Sequence, residues 1–246
     1  MRGVSDSNLY RRGIATAVAG WERFARSVRG AEVHRLKHAD VAVFPDGPES
    51  IFYNNAVVDR DLTPEAQELT LAALEHLYAS GGVSDYAVWV HESDDDTRDA
   101  LEARGYHIAT STRAMGMERA DFRDAQAEIQ LAPADWREHK RILGVDPELL
   151  RLLDVSNLGV LVATAGGENV ATGLSFDYDG DCGIYNVTTI ESARRRGIGA
   201  AVTAKLVRDA WDRGCETVTL QSTPIAEHVY ASIGFRDLGR IVEYSR

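Results

Sequence analysis

Apolar positions recur at helical spacing in several stretches of this chain. After Thr63-Pro64, residues Ala66, Leu69, Ala73 and Leu77 share one face until Gly81-Gly82 ends the run. Ile198, Ala201, Val202 and Leu206 do the same and continue to Trp211 before Gly214. Residues 8–28 read as an amphipathic helix whose arginines form a solvated face. "DDDTRDALEARGY" (94–106) reads as a helix opened by aspartates, which the helix dipole favours, and closed by Gly-Tyr. "TPIAEHVYASIGF" (223–235) reads as a short helix, with Thr223 as cap, Pro224 at its first position and Gly234 as its stop. Between these lie segments rich in β-branched and aromatic residues: "IFYNNAVV" (51–58), "DYAVWVHES" (85–93), "TSTRAMGM" (110–117), "CGIYNVTTI" (182–190) and "ETVTLQS" (216–222). "RDLGRIVEYS" (236–245) supplies one or two closing strands, and the Asp-Gly of "FDYDGD" (176–181) marks a hairpin turn.

This layout repeats. Strand, helix, strand, helix, Gly-aromatic and strand follow Tyr53-Asn54 and follow Tyr185-Asn186 in the same order at nearly the same spacing. The repetition predicts an internal duplication, with its boundary in the polar stretch "ERADFRDAQAE" (118–128), just before "IQLAPADW". The expected division is 1–125 and 126–246. The length of 246 residues accommodates two such modules, and 44% apolar with 26% charged residues is ordinary for a globular chain.

Two arginine-glycine stretches suggest phosphate loops: "YRRGIATAVAG" (10–20) and "ESARRRGIGAAV" (191–202). A phosphate cradle needs a strand that delivers the chain to a glycine turn opening a helix, whose free N–H groups face the anion. Only the second has that context. The first follows the short polar "MRGVSDSNL" and belongs to a helix. Where the first half would carry its own loop it has "DRDLTPEAQ", with Asp59 and Asp61 set to repel a pyrophosphate.

The formal net charge of −11 argues against general nucleic-acid binding, which demands a basic surface. Cys182 and Cys215 are the only cysteines and lack metal-like spacing, so a reducing, cytoplasmic compartment without a disulfide framework is expected. No apolar run is long enough to span a membrane. No metal is called for.

At this point the chain resembles the GCN5-related N-acetyltransferase (GNAT) superfamily. Arg194, Gly197 and Gly199 match its acetyl-CoA signature, and Tyr230, Gly234 and Phe235 match its later Tyr and Gly-aromatic signature. The resemblance covers about residues 128–246. It implies an α/β (α+β) fold of two tandem acyl-CoA N-acyltransferase-like domains, each a mixed, mostly antiparallel sheet flanked by helices. The first would be a degenerate copy, since Leu101 stands where the second has Tyr230. The resemblance further implies acetyl-CoA as cosubstrate, lying in a splay between two strands. Backbone groups of Val187 and Thr189 would pair with its pantetheine. Arg194, Arg195, Arg196, Gly197, Ile198, Gly199 and Ala200 would surround its pyrophosphate, with Thr223 nearby. Tyr230 would protonate the leaving thiolate, and Glu191 is the candidate base, through water. The expected acceptor is a small-molecule amine. A lysine-rich protein or peptide target, and a non-catalytic acyl-CoA sensor, are the alternatives. The amine and the oligomeric state, monomer or homodimer, are left open.

Overall fold

The helical stripe read over 8–28 forms α1 (Asp6–Ala25), and the chain then alternates strands and helices. In order these are β1 (Glu32–Arg35), β2 (Ala39–Val43), β3 (Asn55–Val58), α2 (Pro64–Ser80), β4 (Ala87–His91), α3 (Asp95–Ala103) and β5 (His107–Glu118). There follow β6 (Gln130–Pro133), α4 (Trp136–Leu143), β7 (Leu158–Ala165), β8 (Glu168–Tyr178), β9 (Asp181–Thr189), α5 (Ile198–Asp212), β10 (Thr217–Ser222), α6 (Glu227–Ile233) and β11 (Arg236–Ser245). This computed structural model describes residues 3–45, 53–144 and 158–246; residues 51 and 52 of the first expected Tyr-Asn strand lie outside them.

The chain divides into two compact units, each assembled from two stretches. Unit 1 takes Met1–Ala17 with Arg113–Leu238, and unit 2 takes Val18–Thr112 with Gly239–Arg246. These units do not coincide with a linear split at 125/126. Within unit 1 the strand order is β5-β10-β9-β8-β7-β6, and within unit 2 it is β1-β2-β3-β4-β11. Each unit is closed by an antiparallel strand from a distant part of the chain. Arg113–Glu118 of β5 pairs with β10 in unit 1, and Ile241–Tyr244 of β11 pairs with β4 in unit 2.

In each unit one pair of strands is parallel: β9 with β10, joined by α5, and β3 with β4, joined by α2. A parallel pair needs such a crossover, and the helix covers the apolar face it leaves. In unit 1, Ile198, Val202, Leu206 and Trp211 of α5 bury against Val170, Ile184, Val218 and Leu220. In unit 2, Leu71, Leu74 and Tyr78 of α2 bury against Val41, Val58, Val88 and Val90. The expected hairpin at 176–181 joins β8 to β9, with Asp179 and Gly180 both at positive φ, as a tight turn of this hand requires.

The stretch 10–20 lies wholly within α1, as its lack of a preceding strand implied. The first of its two glycines has a packing reason: a Cβ on Gly13 would come 3.1 Å from Thr219 of β10. One turn on, the Thr16 hydroxyl donates to Asp181, a buried carboxylate that also accepts from Thr217 and Thr219 at 2.7 Å each. The expected helix over 223–235 is shorter than its Thr-Pro start suggests. Ala226 N–H bonds the Thr223 carbonyl in a turn, and helix begins only at Glu227, without a side-chain cap. The closing segment is one strand, β11, which carries Gly239 at positive φ.

Candidate functional site

The site is best built from the way β9 leaves its neighbours. It pairs in parallel with β10 only from Asp181↔Thr217 to Ile184↔Leu220, yet β9 runs on to Thr189 and β10 to Ser222. Beyond Ile184 and Leu220 the two strands no longer pair, so β9 presents unmatched backbone along that edge. On its other side the register with β8 shifts between Thr172 and Leu174, opposite a bulge at Asn186-Val187. Asn186 carries the bulge at φ +55°, a left-handed conformation that asparagine tolerates better than most residues. A bulge of this kind re-aims backbone groups where a sheet must do something other than pair.

Past Thr189 the chain makes a short helical turn over Glu191–Ala193 and enters the arginine loop. The Arg194 Nε–H donates to the Thr189 carbonyl at 3.1 Å, which folds the loop back on the strand end. Arg195 adopts φ +59° and Gly197, the N-cap of α5, φ +73°; the second conformation is why a glycine stands there. No side chain caps α5, and its first intrahelical bond runs from Ala201 N–H to the Gly197 carbonyl. The N–H groups of Ile198, Gly199 and Ala200 are therefore the orphan donors of the first turn. Arg194, Arg195 and Arg196 are all exposed around them. A Cβ on Gly199 would meet only the Thr189 Oγ1, at 3.7 Å, so the space over the first turn is open.

Alternation along β9 separates two faces. Val187 comes within 3.4 Å of the Cβ position of Gly173, which faces Leu206 and Val202, so Val187 and Thr189 lie on the α5 side. Thr188 pairs with Thr172 of β8, whose hydroxyl meets a residue of α4: His139 Nδ1 lies 2.7 Å from the Thr172 Oγ1. Because Thr172 donates that hydroxyl proton to the Leu161 carbonyl, it accepts from Nδ1–H, and the His139 Nε2 keeps its lone pair. That nitrogen is buried without a hydrogen-bond partner, as is the indole N–H of Trp136 stacked beside it. Burial pulls the His139 pKa down to about 4, so the ring is neutral at pH 7.

Tyr230 lies on α6, buried in the same cluster as Ile184 and Leu220, the last paired residues before the strands part. It stands edge-on to Phe235, with ring centres 5.9 Å apart. Burial pushes its pKa up to about 12, so the hydroxyl stays protonated through neutral pH. Glu191 and Thr223 are exposed, at the end of β9 and of β10 respectively. His228, two residues before Tyr230, is exposed too, as helical geometry implies. Reading the sequence did not single out Asn186 or His139. The asparagine hides in an otherwise regular strand pattern. The histidine shares a helical stripe with Trp136 and Leu143, and that stripe was its available signal. Cys215 is partly exposed and leads into the buried strand β10.

No group of His, Cys, Asp and Glu able to hold a metal ion occurs among the described residues. No helix among them is long and apolar enough to cross a membrane.

Comparison with known proteins agrees with this geometry. The family model "Acetyltransferase (GNAT) family" matches residues 121–235. No curated protein matches the chain in sequence. Among solved structures, a GCN5-related N-acetyltransferase from Kribbella flavida superposes with a TM-score of 0.70 at 20% identity, covering 94% of this chain and 95% of the other. One from Sphaerobacter thermophilus gives a TM-score of 0.63 at 15% identity, over 99% and 93%. A tandem GNAT protein from the clavulanic acid biosynthesis pathway gives 0.58 at 11%, over 98% and 96%.

Proposed function

Starting from the membership of this chain in the GNAT superfamily, and hence from its being an acyltransferase, we propose that unit 1 transfers an acetyl group from acetyl-CoA directly to a primary amine of a small molecule. The observation that carries this reading is the opening of β9 from β10 beyond Ile184 and Leu220, leading to an uncapped helix N-terminus ringed by three arginines. Amides of residues 195–200 hold the pyrophosphate there, aided by the helix dipole. Backbone groups of Val187 and Thr189 pair with the pantetheine as a strand would. The bound thioester supplies the activated acetyl group. A β9 amide at the bulge donates to its carbonyl oxygen and stabilises the charge that develops as the amine attacks. As the C–S bond breaks, Tyr230, still protonated, donates to the departing sulfur. The proton lost by the amine leaves through water to Glu191. The amine enters from the opposite side of β9, over Thr188.

Unit 2 is the degenerate copy in this reading. It repeats the parallel pair, the crossover helix and the closing antiparallel strand, and the similarity to a tandem GNAT structure supports the duplication. The two free thiols suit a reducing compartment, which supports the cytoplasm in this reading. Calorimetry with acetyl-CoA, followed by a panel of amines with released thiol as readout, tests the proposal. One site per chain and amine-dependent thiol release are expected. Two sites per chain would remove the degenerate copy, and thiol release with no amine dependence would remove direct transfer.

A further inference from the structure

Alternation along β5 continues the face on which the Tyr230 cluster is built. Met117 pairs with Val218 and Met115 with Leu220, and all four are buried in the cluster that holds Tyr230. Next on the same face is Arg113, which pairs with Ser222, the last residue of β10. A charged side chain therefore stands just beyond the last paired residues of β9 and β10. Its guanidinium is turned to the helix that carries the tyrosine. The Arg113 Nε–H donates to the Glu227 carboxylate at 3.0 Å, and Nη1 donates to Asp237. Glu227 is the first residue of α6, and Asp237 lies just past its end in β11. One guanidinium thus joins the segments on either side of residues 228–235. The side chains of Arg113 and Glu227 are only 19% and 24% exposed, so water and salt screen this pair less than a surface pair.

The short helix needs such a hold. It has seven residues and no side-chain cap, and a helix of that length is not stable alone. At its far end the Arg123 N–H donates to the Ile233 carbonyl at 2.7 Å, and the Asp121 carbonyl oxygen occupies the place a Cβ on Gly234 would need. Both ends of α6 are therefore set by β5 and the chain that follows it. Glu227 and Tyr230 stand three residues apart, neighbours on one helix face, so a shift at Glu227 passes to the tyrosine. We infer that Arg113 is a positioning residue for the acyl transfer. Through Glu227 and Asp237 it fixes where Tyr230 presents its hydroxyl to the departing sulfur. This rests on the reading of Tyr230 as the proton donor. The guanidinium stays charged at every working pH, so it holds the helix without taking part in proton transfer. Such a transfer tolerates little displacement: misplacing a reacting group by about 1 Å can cost 10²-fold.

The test compares wild type, Arg113→Met, Tyr230→Phe and the double variant, each as the full chain. Turnover is read as thiol released from acetyl-CoA with the most active amine of the panel, and acetyl-CoA affinity by calorimetry. Arg113→Met should lower turnover about tenfold to 10²-fold and leave that affinity unchanged. In the Tyr230→Phe background the same substitution should lower turnover by less than about twofold, because the hydroxyl it positions is already gone. Glu227→Gln breaks the same ion pair from the helix side and should reproduce the pattern, so the test stands even if Arg113→Met folds poorly. A residue that only supports the fold would lower turnover by the same factor in both backgrounds, and that result would overturn the inference. Full turnover in Arg113→Met and Glu227→Gln, with Tyr230→Phe impaired, would overturn it too and leave the proton donor in place. Full turnover in Tyr230→Phe, with chemistry rate-limiting, would remove the proton donor and the inference together.

Discussion

The helices α5 and α2 connect the two parallel strand pairs, and their C-terminal ends are finished alike. In α5, Cys215 N–H bonds the Ala210 carbonyl and Gly214 N–H that of Trp211; in α2, Val83 N–H bonds the Tyr78 carbonyl and Gly82 N–H that of Ala79. The shorter helices agree as well: Phe235 bonds back to Tyr230 as Tyr106 does to Leu101. At the N-termini the likeness stops. α5 opens on Gly197 in a left-handed conformation with no side-chain cap. α2 opens on Thr63, whose hydroxyl accepts from Ala66 N–H, and Glu65 stands in its first turn. One helix start keeps its donors available to an anion. The other satisfies a donor internally and adds a negative charge, both of which stabilise the helix start. The C-terminal ends of the two helices are alike, and the N-terminal end proposed to meet a phosphate is where they differ.

The largest way to break this contrast is to give α5 the chemistry of α2. Gly199→Asp should weaken acetyl-CoA binding by about 10²-fold or more, each factor of ten being 1.4 kcal/mol. The open space at its Cβ lets the fold accept the side chain, so calorimetry should show lost affinity with an unchanged circular dichroism spectrum. Undiminished affinity would place the cradle elsewhere.

Tyr230→Phe sharpens the comparison with Leu101. Turnover should fall about 10²-fold, typical for loss of a general acid, while acetyl-CoA affinity stays the same. Steady-state rates beside calorimetry separate the two effects, and unchanged turnover with chemistry rate-limiting would free Tyr230 of its role.

The two units should also respond oppositely to pH. Burial pushes Glu243 of unit 2 up to about 7, so between its ordinary 4.5 and 7 the folded state holds a proton that the unfolded state releases. Its contribution is present at low pH and is lost as pH rises through that window, and Glu243→Gln should raise stability at pH 8 by about 2 kcal/mol. His139 of unit 1, drawn down to about 4, has the reverse sign. The unfolded state takes up a proton below its ordinary 6.5 while the folded state does not, so stability is lost as pH falls from 6.5 towards 4. Denaturant melts of His139→Gln and Glu243→Gln across pH 4–8 should remove the two limbs separately; parallel curves for both variants and wild type would contradict the assignment.

The smallest effect belongs to the cap of α2. Thr63→Ala should cost about 1 kcal/mol, read as a shift in urea midpoint, with acetyl-CoA affinity unaltered. A change in that affinity would mean that α2 takes part in binding.

The elements were largely legible in the sequence because each carries its own local signal. Gly214 and Gly82 stop helices, Asp179-Gly180 turns a hairpin, and Ile198 to Trp211 keep strict helical spacing. The arginine loop was legible for the same reason, since strand, glycines and helix are contiguous. The contacts that depend on tertiary packing were not. Asp181 reads as a turn aspartate, yet the Thr16, Thr217 and Thr219 hydroxyls converge on it from separate elements. The start of α6 was misplaced because Thr223-Pro224 suits a turn as well as a helix. The bulge at Asn186 arises from register, which no local pattern records.

The interleaving of the two units has a consequence during synthesis. The antiparallel partner of β4 comes from 239–246, made after all the other residues of both units. A nascent chain that has completed residues 18–112 therefore still carries an open β4 edge, and an exposed strand edge is a template for pairing with another chain. Most of unit 2 is made before most of unit 1, yet its closing strand is made after it, so that edge must be kept from wrong partners until 239–246 emerge.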